Sequence, residues 1–126
     1  MPIATAADDA RLLDVRPLQQ ALVRFAQARD WEQHHSPKNL AMALTGEVGE
    51  LVELFQWCSE EASRHVARAP ETAEAVRDEL ADVFIYLVRL ADVLGVDLDA
   101  AVRNKLVRNA VRYPPLADHG GSAAQP

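Results

Sequence analysis

Pro70–Gly95, PETAEAVRDELADVFIYLVRLADVLG, is the stretch that decides the fold. Proline suits the first turn of a helix and glycine the residue just past its last turn, so the two bracket one long helix. Val76, Leu80, Val83, Phe84, Leu87, Leu90, Ala91 and Leu94 cover a broad side at helical spacing, and Ile85 and Val88 add another. The surface helix of a monomer ordinarily carries one apolar stripe. Apolar side chains pointing two ways predict a helix central to a bundle and also exposed to a second subunit.

The segments on either side read as helices too. Pro17 opens one that runs to about Arg29, with Leu18, Leu22, Phe25 and Ala26 at helical spacing. Ser36 as N-cap and Pro37 at the first helical position start a second, expected to reach about Glu61. After Gly95, Asp97 or Asp99 caps a last helix from Leu98 to Arg112, stopped by Pro114 and Pro115. Sustained β alternation occurs nowhere. The expected architecture is an all-α four-helix bundle over residues 16–113, between a flexible segment 1–15 and a disordered tail 114–126.

At 126 residues the chain is long enough for one domain with its own core. Its single cysteine, Cys58, excludes an intrachain disulfide and a cysteine-rich zinc site, and fits a reducing cytoplasm. Val83–Val96 is interrupted by Tyr86, Arg89 and Asp92 and is too short to span a bilayer, so no membrane association is expected. The net charge of −6 argues against gripping a nucleic-acid backbone. It still permits a small anionic substrate, provided a divalent cation stands between the like charges.

Two acidic pairs, Glu47/Glu50 and Glu79/Asp82, each have the i,i+3 spacing that puts both carboxylates on one helical face. Most such pairs are solvated surface charges. Glu47, however, points in the same direction as Leu40, Leu44, Leu51 and Leu54, inside the apolar stripe. No Lys or Arg shares that face between Leu40 and Cys58. A bare carboxylate buried there is costly or takes up a proton. Gly46 and Gly49 weaken the helix beside the acids, which points to close approach of another backbone or of a ligand. Glu79 and Asp82 share a polar stripe with Tyr86 and Arg89. Packing that stripe against the second helix gathers four like charges, a cluster that needs a cation. All-oxygen ligation favours a hard cation, Mg2+ or Mn2+. A di-iron site wants Glu-x-x-His pairs, and neither acidic pair carries that histidine.

Complementary groups lie elsewhere. Lys105, Arg108, Asn109 and Arg112 share one side of the last helix, a candidate clamp for phosphates, and Lys38 and Asn39 add donors. Trp31 stands in an expected loop, as a small-core residue or as a wall on which a base stacks. Trp57 and Tyr86 sit near the acids on their helices, and His35 is structural or bonds a base or phosphate.

The runs GEVGELVELFQW (Gly46–Trp57) and DELADVFIYLVRLAD (Asp78–Asp92), flanked by RDWEQHHSPKNL (Arg29–Leu40) and KLVRNAVRYP (Lys105–Pro114), resemble the MazG-like nucleotide pyrophosphohydrolases, in particular their dCTP-hydrolysing subgroup. The resemblance spans about residues 18–114. One departure is Gly46, where the wider family often has the first Glu of an EE doublet; the subgroup is similar in this. The resemblance implies Mg2+ ligation by Glu47, Glu50, Glu79 and Asp82, with Glu47 or Glu50 as general base. It further implies a base pocket of Trp31, His35, Trp57 and Tyr86, with Lys105, Asn109 and Tyr113 near the nucleotide. The implied reaction converts a (d)NTP, dCTP or a 5-modified dCTP first, to the monophosphate and pyrophosphate. Homodimers or homotetramers with sites between subunits are implied as well. The rivals are a related all-α pyrophosphatase for another nucleotide and a non-catalytic helical nucleotide-binding or oligomerisation module.

Overall fold

Ser36 shows how local sequence sets the first boundary that matters. Its Oγ accepts the backbone N–H of Asn39 at 3.1 Å, and Pro37, whose missing N–H has no partner to lose, follows at once. The computed structural model describes residues 10–117, and among these the regular structure is entirely helical. The helices are α1 (Arg16–Ala28), α2 (Pro37–Glu53), α3 (Glu60–Ser63), α4 (Ala73–Leu94) and α5 (Leu98–Arg112), with a 3-10 turn at Glu32–His34. Expectations for residues 1–9 and 118–126 lie outside the described residues.

Among the described residues the α-helices therefore number five rather than four, because the second helix was expected to run too far. It ends at Glu53, and bonds of the turn type follow, such as Phe55 N–H to Val52 O and Cys58 N–H to Phe55 O. Ser59 then caps a new short helix by accepting from Ala62 N–H at 3.1 Å. What reads as a continuing helix is a second start signal. Likewise α4 opens at Ala73, not Pro70: Thr72 Oγ1 donates to Val66 O at 2.7 Å and holds Pro70 in the preceding turn. Its other end is as expected, with Gly95 at φ 70° in the left-handed conformation. Asp97 caps α5 through Ala100 N–H at 3.0 Å.

The chain divides into two units. One is Arg16–Gly95; the other joins residues 10–15 with residues 96–117. Within Arg16–Gly95, α4 packs mainly on α2 and also on α1. Leu40, Val76, Val88 and Ala91 are buried there, as is Ala26 of α1. The other sides of α4 leave Leu80, Phe84 and Leu87 exposed. The expectation that α4 is apolar in two directions holds, with one direction packed and one open.

Between α1 and the 3-10 turn, Asp30 takes φ 55°, a left-handed conformation that Asp tolerates better than most residues. This lets Trp31 N–H return to Ala26 O at 2.9 Å and turns the chain toward α2. In the other unit, Asp99 accepts the backbone N–H groups of Leu12 and Leu13 at 2.7 and 2.9 Å, and Arg103 Nε at 2.8 Å. Residues 12 and 13 thus have an anchor that composition alone does not reveal. No helix among the described residues is long and apolar enough to cross a membrane.

Candidate metal centre and its surround

Residue 35, just ahead of α2, lies against residue 89 late in α4, while Glu47 and Glu50 late in α2 lie against Glu79 early in α4. The two helices therefore run antiparallel, and their facing sides hold the acids. Glu47, Glu50 and Glu79 each offer a carboxylate oxygen within 4.8 Å of the others. Asp82 stands one turn beyond Glu79 and is near enough for its charge to act on both Glu47 and Glu79.

Oε2 of Glu47 and Oε2 of Glu79 are buried without a hydrogen-bond partner. Native structures rarely leave a buried carboxylate oxygen in that condition. The electrostatics agree. Burial, the close contact with Glu50 and the charges of Glu50 and Asp82 push the Glu47 carboxyl up to about 7. Glu79 is raised by burial and by Glu50 and Asp82, against a smaller opposing effect of its contact with Glu47. Like charges forced together this way favour either shared protons or a cation, and the donor set, all carboxylate oxygen, fits a hard divalent ion. The polar stripe of α4, ambiguous in sequence, faces inward at Glu79 and Arg89.

A Cβ placed at Gly46 or Gly49 meets no atom within 4 Å. Neither glycine makes room for a neighbouring backbone among the described residues.

Of the expected surround, Trp31 and His35 are brought together, with ring centroids 6.4 Å apart, and Phe25 meets Trp31 edge-on at 5.7 Å. Arg29 lies over the other partner of that pair, 3.5 Å from the centroid of Phe25. Tyr86 is half-buried on α4, and Lys38 is exposed in the first turn of α2. Trp57 is 91% exposed in the turn after α2, so within Arg16–Gly95 it joins no wall. Lys105, Arg108, Asn109 and Arg112 lie on α5 and Tyr113 at its end, in the other unit, where the Arg112 guanidinium sits 5.3 Å from the Tyr113 ring centroid.

Arg89 is the residue whose part the sequence did not disclose. It is 8% exposed, its Nε donates to His35 Nδ1 at 3.1 Å, and its Nη1 lies 3.7 Å from Asp92 Oδ2. The available signal was its place on the stripe of Glu79, Asp82 and Tyr86.

Residues 43–124 match the MazG-like family. The chain is 48% identical over 111 residues to dCTP pyrophosphatase 1 of Rattus norvegicus, covering 88% of this chain and 64% of that protein. Its identity to dCTP pyrophosphatase 1 of Homo sapiens is 48% over 103 residues, covering 82% and 59% respectively. The chain thus spans 64% or less of the length of these two relatives. A solved pyrophosphatase from Archaeoglobus fulgidus superposes with a TM-score of 0.74 at 37% identity, over 80% of this chain and 93% of that one.

Proposed function

The chain belongs to the MazG-like family, and from that premise we propose that it is a Mg2+-dependent nucleoside triphosphate pyrophosphohydrolase acting first on dCTP or a 5-modified dCTP. The observation that carries this reading is the acidic cluster with its two buried, unpartnered oxygens on Glu47 and Glu79. Glu47, Glu50, Glu79 and Asp82 hold the cation, with Mn2+ able to replace Mg2+. When bound, it neutralises the phosphates and lowers the energy needed to make hydroxide from water.

The chain's own residues supply the remainder. Glu47 or Glu50 takes the proton of a water whose oxygen bonds to the α-phosphorus. The bond from that phosphorus to the α–β bridging oxygen breaks, and the electron pair leaves with pyrophosphate. Trp31 and His35, already side by side, form one wall for the base, and Tyr86 adds to it; Trp57, which joins no wall within Arg16–Gly95, is left to a base site completed by a second subunit. Lys38, exposed in the first turn of α2, offers a donor to the polar parts of the nucleotide. The exposed Leu80, Phe84 and Leu87 of α4 support assembly into a homodimer or homotetramer, in which a second subunit covers that side.

A panel of nucleoside triphosphates with pyrophosphate readout tests the assignment. dCTP and its 5-substituted forms are expected to be turned over best, and only with Mg2+ or Mn2+ present. Equal or better turnover of purine nucleotides or dUTP contradicts the substrate assignment. Absence of pyrophosphate from every nucleotide contradicts the enzyme.

A further inference from the structure

A buried arginine that spends its Nε–H on a histidine nitrogen is an unusual use of a charge. Arg89 has Asp92 on one side of its guanidinium, 3.7 Å away, and His35 on the other, at 3.1 Å from Nε to Nδ1. A guanidinium has donors only, so His35 Nδ1 must be the acceptor in this bond. The proton of a neutral imidazole then sits on Nε2. The ring so fixed lies beside Trp31, which meets Phe25 edge-on, and Arg29 lies over the Phe25 ring.

We propose that Arg89 is a positioning residue for base recognition: it locks His35 in the Nε2–H tautomer and aims that N–H at a hydrogen-bond acceptor on the edge of the nucleotide base. This rests on the pyrophosphohydrolase reading given above.

Three observations converge on it. Trp31, the aromatic surface suited to stacking a base, is the neighbour of His35, so the base is the part of the nucleotide within its reach. Along α4, Arg89 stands seven residues beyond Asp82 and ten beyond Glu79, about 10–15 Å at 1.5 Å per residue. That separation puts the acids at the phosphate end of a nucleotide and His35 at the base end. Finally, burial, the charge of Arg89 and that of His34 hold the imidazole below its usual range, outweighing Glu32, so the ring stays neutral and keeps a single N–H. A neutral His35 of fixed tautomer is a donor only at Nε2 and favours bases that present a carbonyl or ring nitrogen there.

The test combines spectroscopy and kinetics on the full chain. Nitrogen-15 spectra of the wild type should show His35 protonated at Nε2 and bare at Nδ1, with a through-hydrogen-bond coupling from Arg89 Nε. Arg89→Leu should raise KM for the best nucleotide roughly tenfold, the worth of one oriented hydrogen bond, with kcat changed less than about twofold. His35→Gln carries an amide N–H that reaches the Nε2 position without tautomers, and should keep KM within about threefold of the wild type, whereas His35→Phe should lose roughly tenfold. In the His35→Gln background, Arg89→Leu should then alter KM less than about twofold.

A protonated Nδ1 in the wild type overturns the proposal whether or not Arg89→Leu folds. So does an equal effect of Arg89→Leu in both backgrounds, which marks a merely structural arginine, or equal losses from His35→Gln and His35→Phe. These failures leave wild-type turnover intact. A wild type inactive on all nucleotides defeats the pyrophosphohydrolase reading first, and this proposal with it.

Discussion

Glu47 of α2 and Glu79 of α4 face each other with one oxygen apiece buried and unpartnered, in a cluster that Glu50 completes within 4.8 Å. Mutual repulsion and burial make this pair costly without a cation and useful with one.

Removing either flanking acid should stop the chemistry without unfolding the protein. Glu50→Gln and Asp82→Asn are each expected to lower kcat/KM by about 100-fold or more, since each deletes a charge that holds the cation. Helical content by circular dichroism should stay at the wild-type level. Retained activity in both variants would mean that these acids do not hold the metal.

Relief of the repulsion should show in stability. Glu47→Gln keeps the shape of the side chain but removes the charge that burial and Glu50 oppose. In EDTA at pH 8 this variant should melt above the wild type while being inactive with Mg2+. A lower melting temperature would argue that Glu47 is satisfied in the metal-free protein.

The pH dependence follows in sign. Glu47 titrates at about 7 in the folded chain against 4.5 when unconstrained, so between these values the native state binds the extra proton. Stability of the metal-free protein is expected to fall as pH rises from 4.5 to about 7 and then to level off. Glu79, raised as well, acts in the same direction. Thermal melts in EDTA at pH 5.5 and 8, repeated with Mg2+, check this; added Mg2+ should restore the loss at the higher pH.

Asp99 shows the opposite sign. Burial alone would raise it, but the N–H groups of Leu12 and Leu13 and the Arg103 side chain together hold it below the usual carboxylate range. Its contribution is complete above the unfolded value of 3.8 and disappears as pH falls through the depressed folded one. Asp99→Asn should make the amides of Leu12 and Leu13 exchange roughly tenfold faster. Unchanged exchange would show that the anchor lies elsewhere.

The self-association proposed for α4 is checked by sedimentation. Phe84, 40% exposed on the open side of the helix, is replaced by Asp. The wild type should sediment as a dimer or larger and Phe84→Asp as a monomer, with the isolated chain still helical. A monomeric wild type would remove the assembly.

What was legible in the sequence follows from what is local. Ser36-Pro37 and Gly95 are start and stop signals read within a few residues, and both stand where expected. Glu47 among leucines was legible because a misplaced charge violates the helix's own pattern. Ser59 was missed because its cap hydrogen bond competes with a helix that the pattern alone would have continued. The anchor of Leu12 and Leu13 on Asp99 and the bond from Arg89 to His35 join residues distant in the chain, and periodicity carries no record of either. Gly46 and Gly49 point in sequence to close approach of a backbone or of a ligand, and no backbone of the described residues approaches either.

Metal-dependent attack on the α-phosphorus is read directly from hydrolysis of dCTP in oxygen-18 water, with Mg2+ and with EDTA, followed by mass spectrometry of the products. Pyrophosphate and a monophosphate carrying the label are expected, formed only with the metal and not by Glu50→Gln. Orthophosphate as product, label in the pyrophosphate, or turnover that persists in EDTA would contradict it.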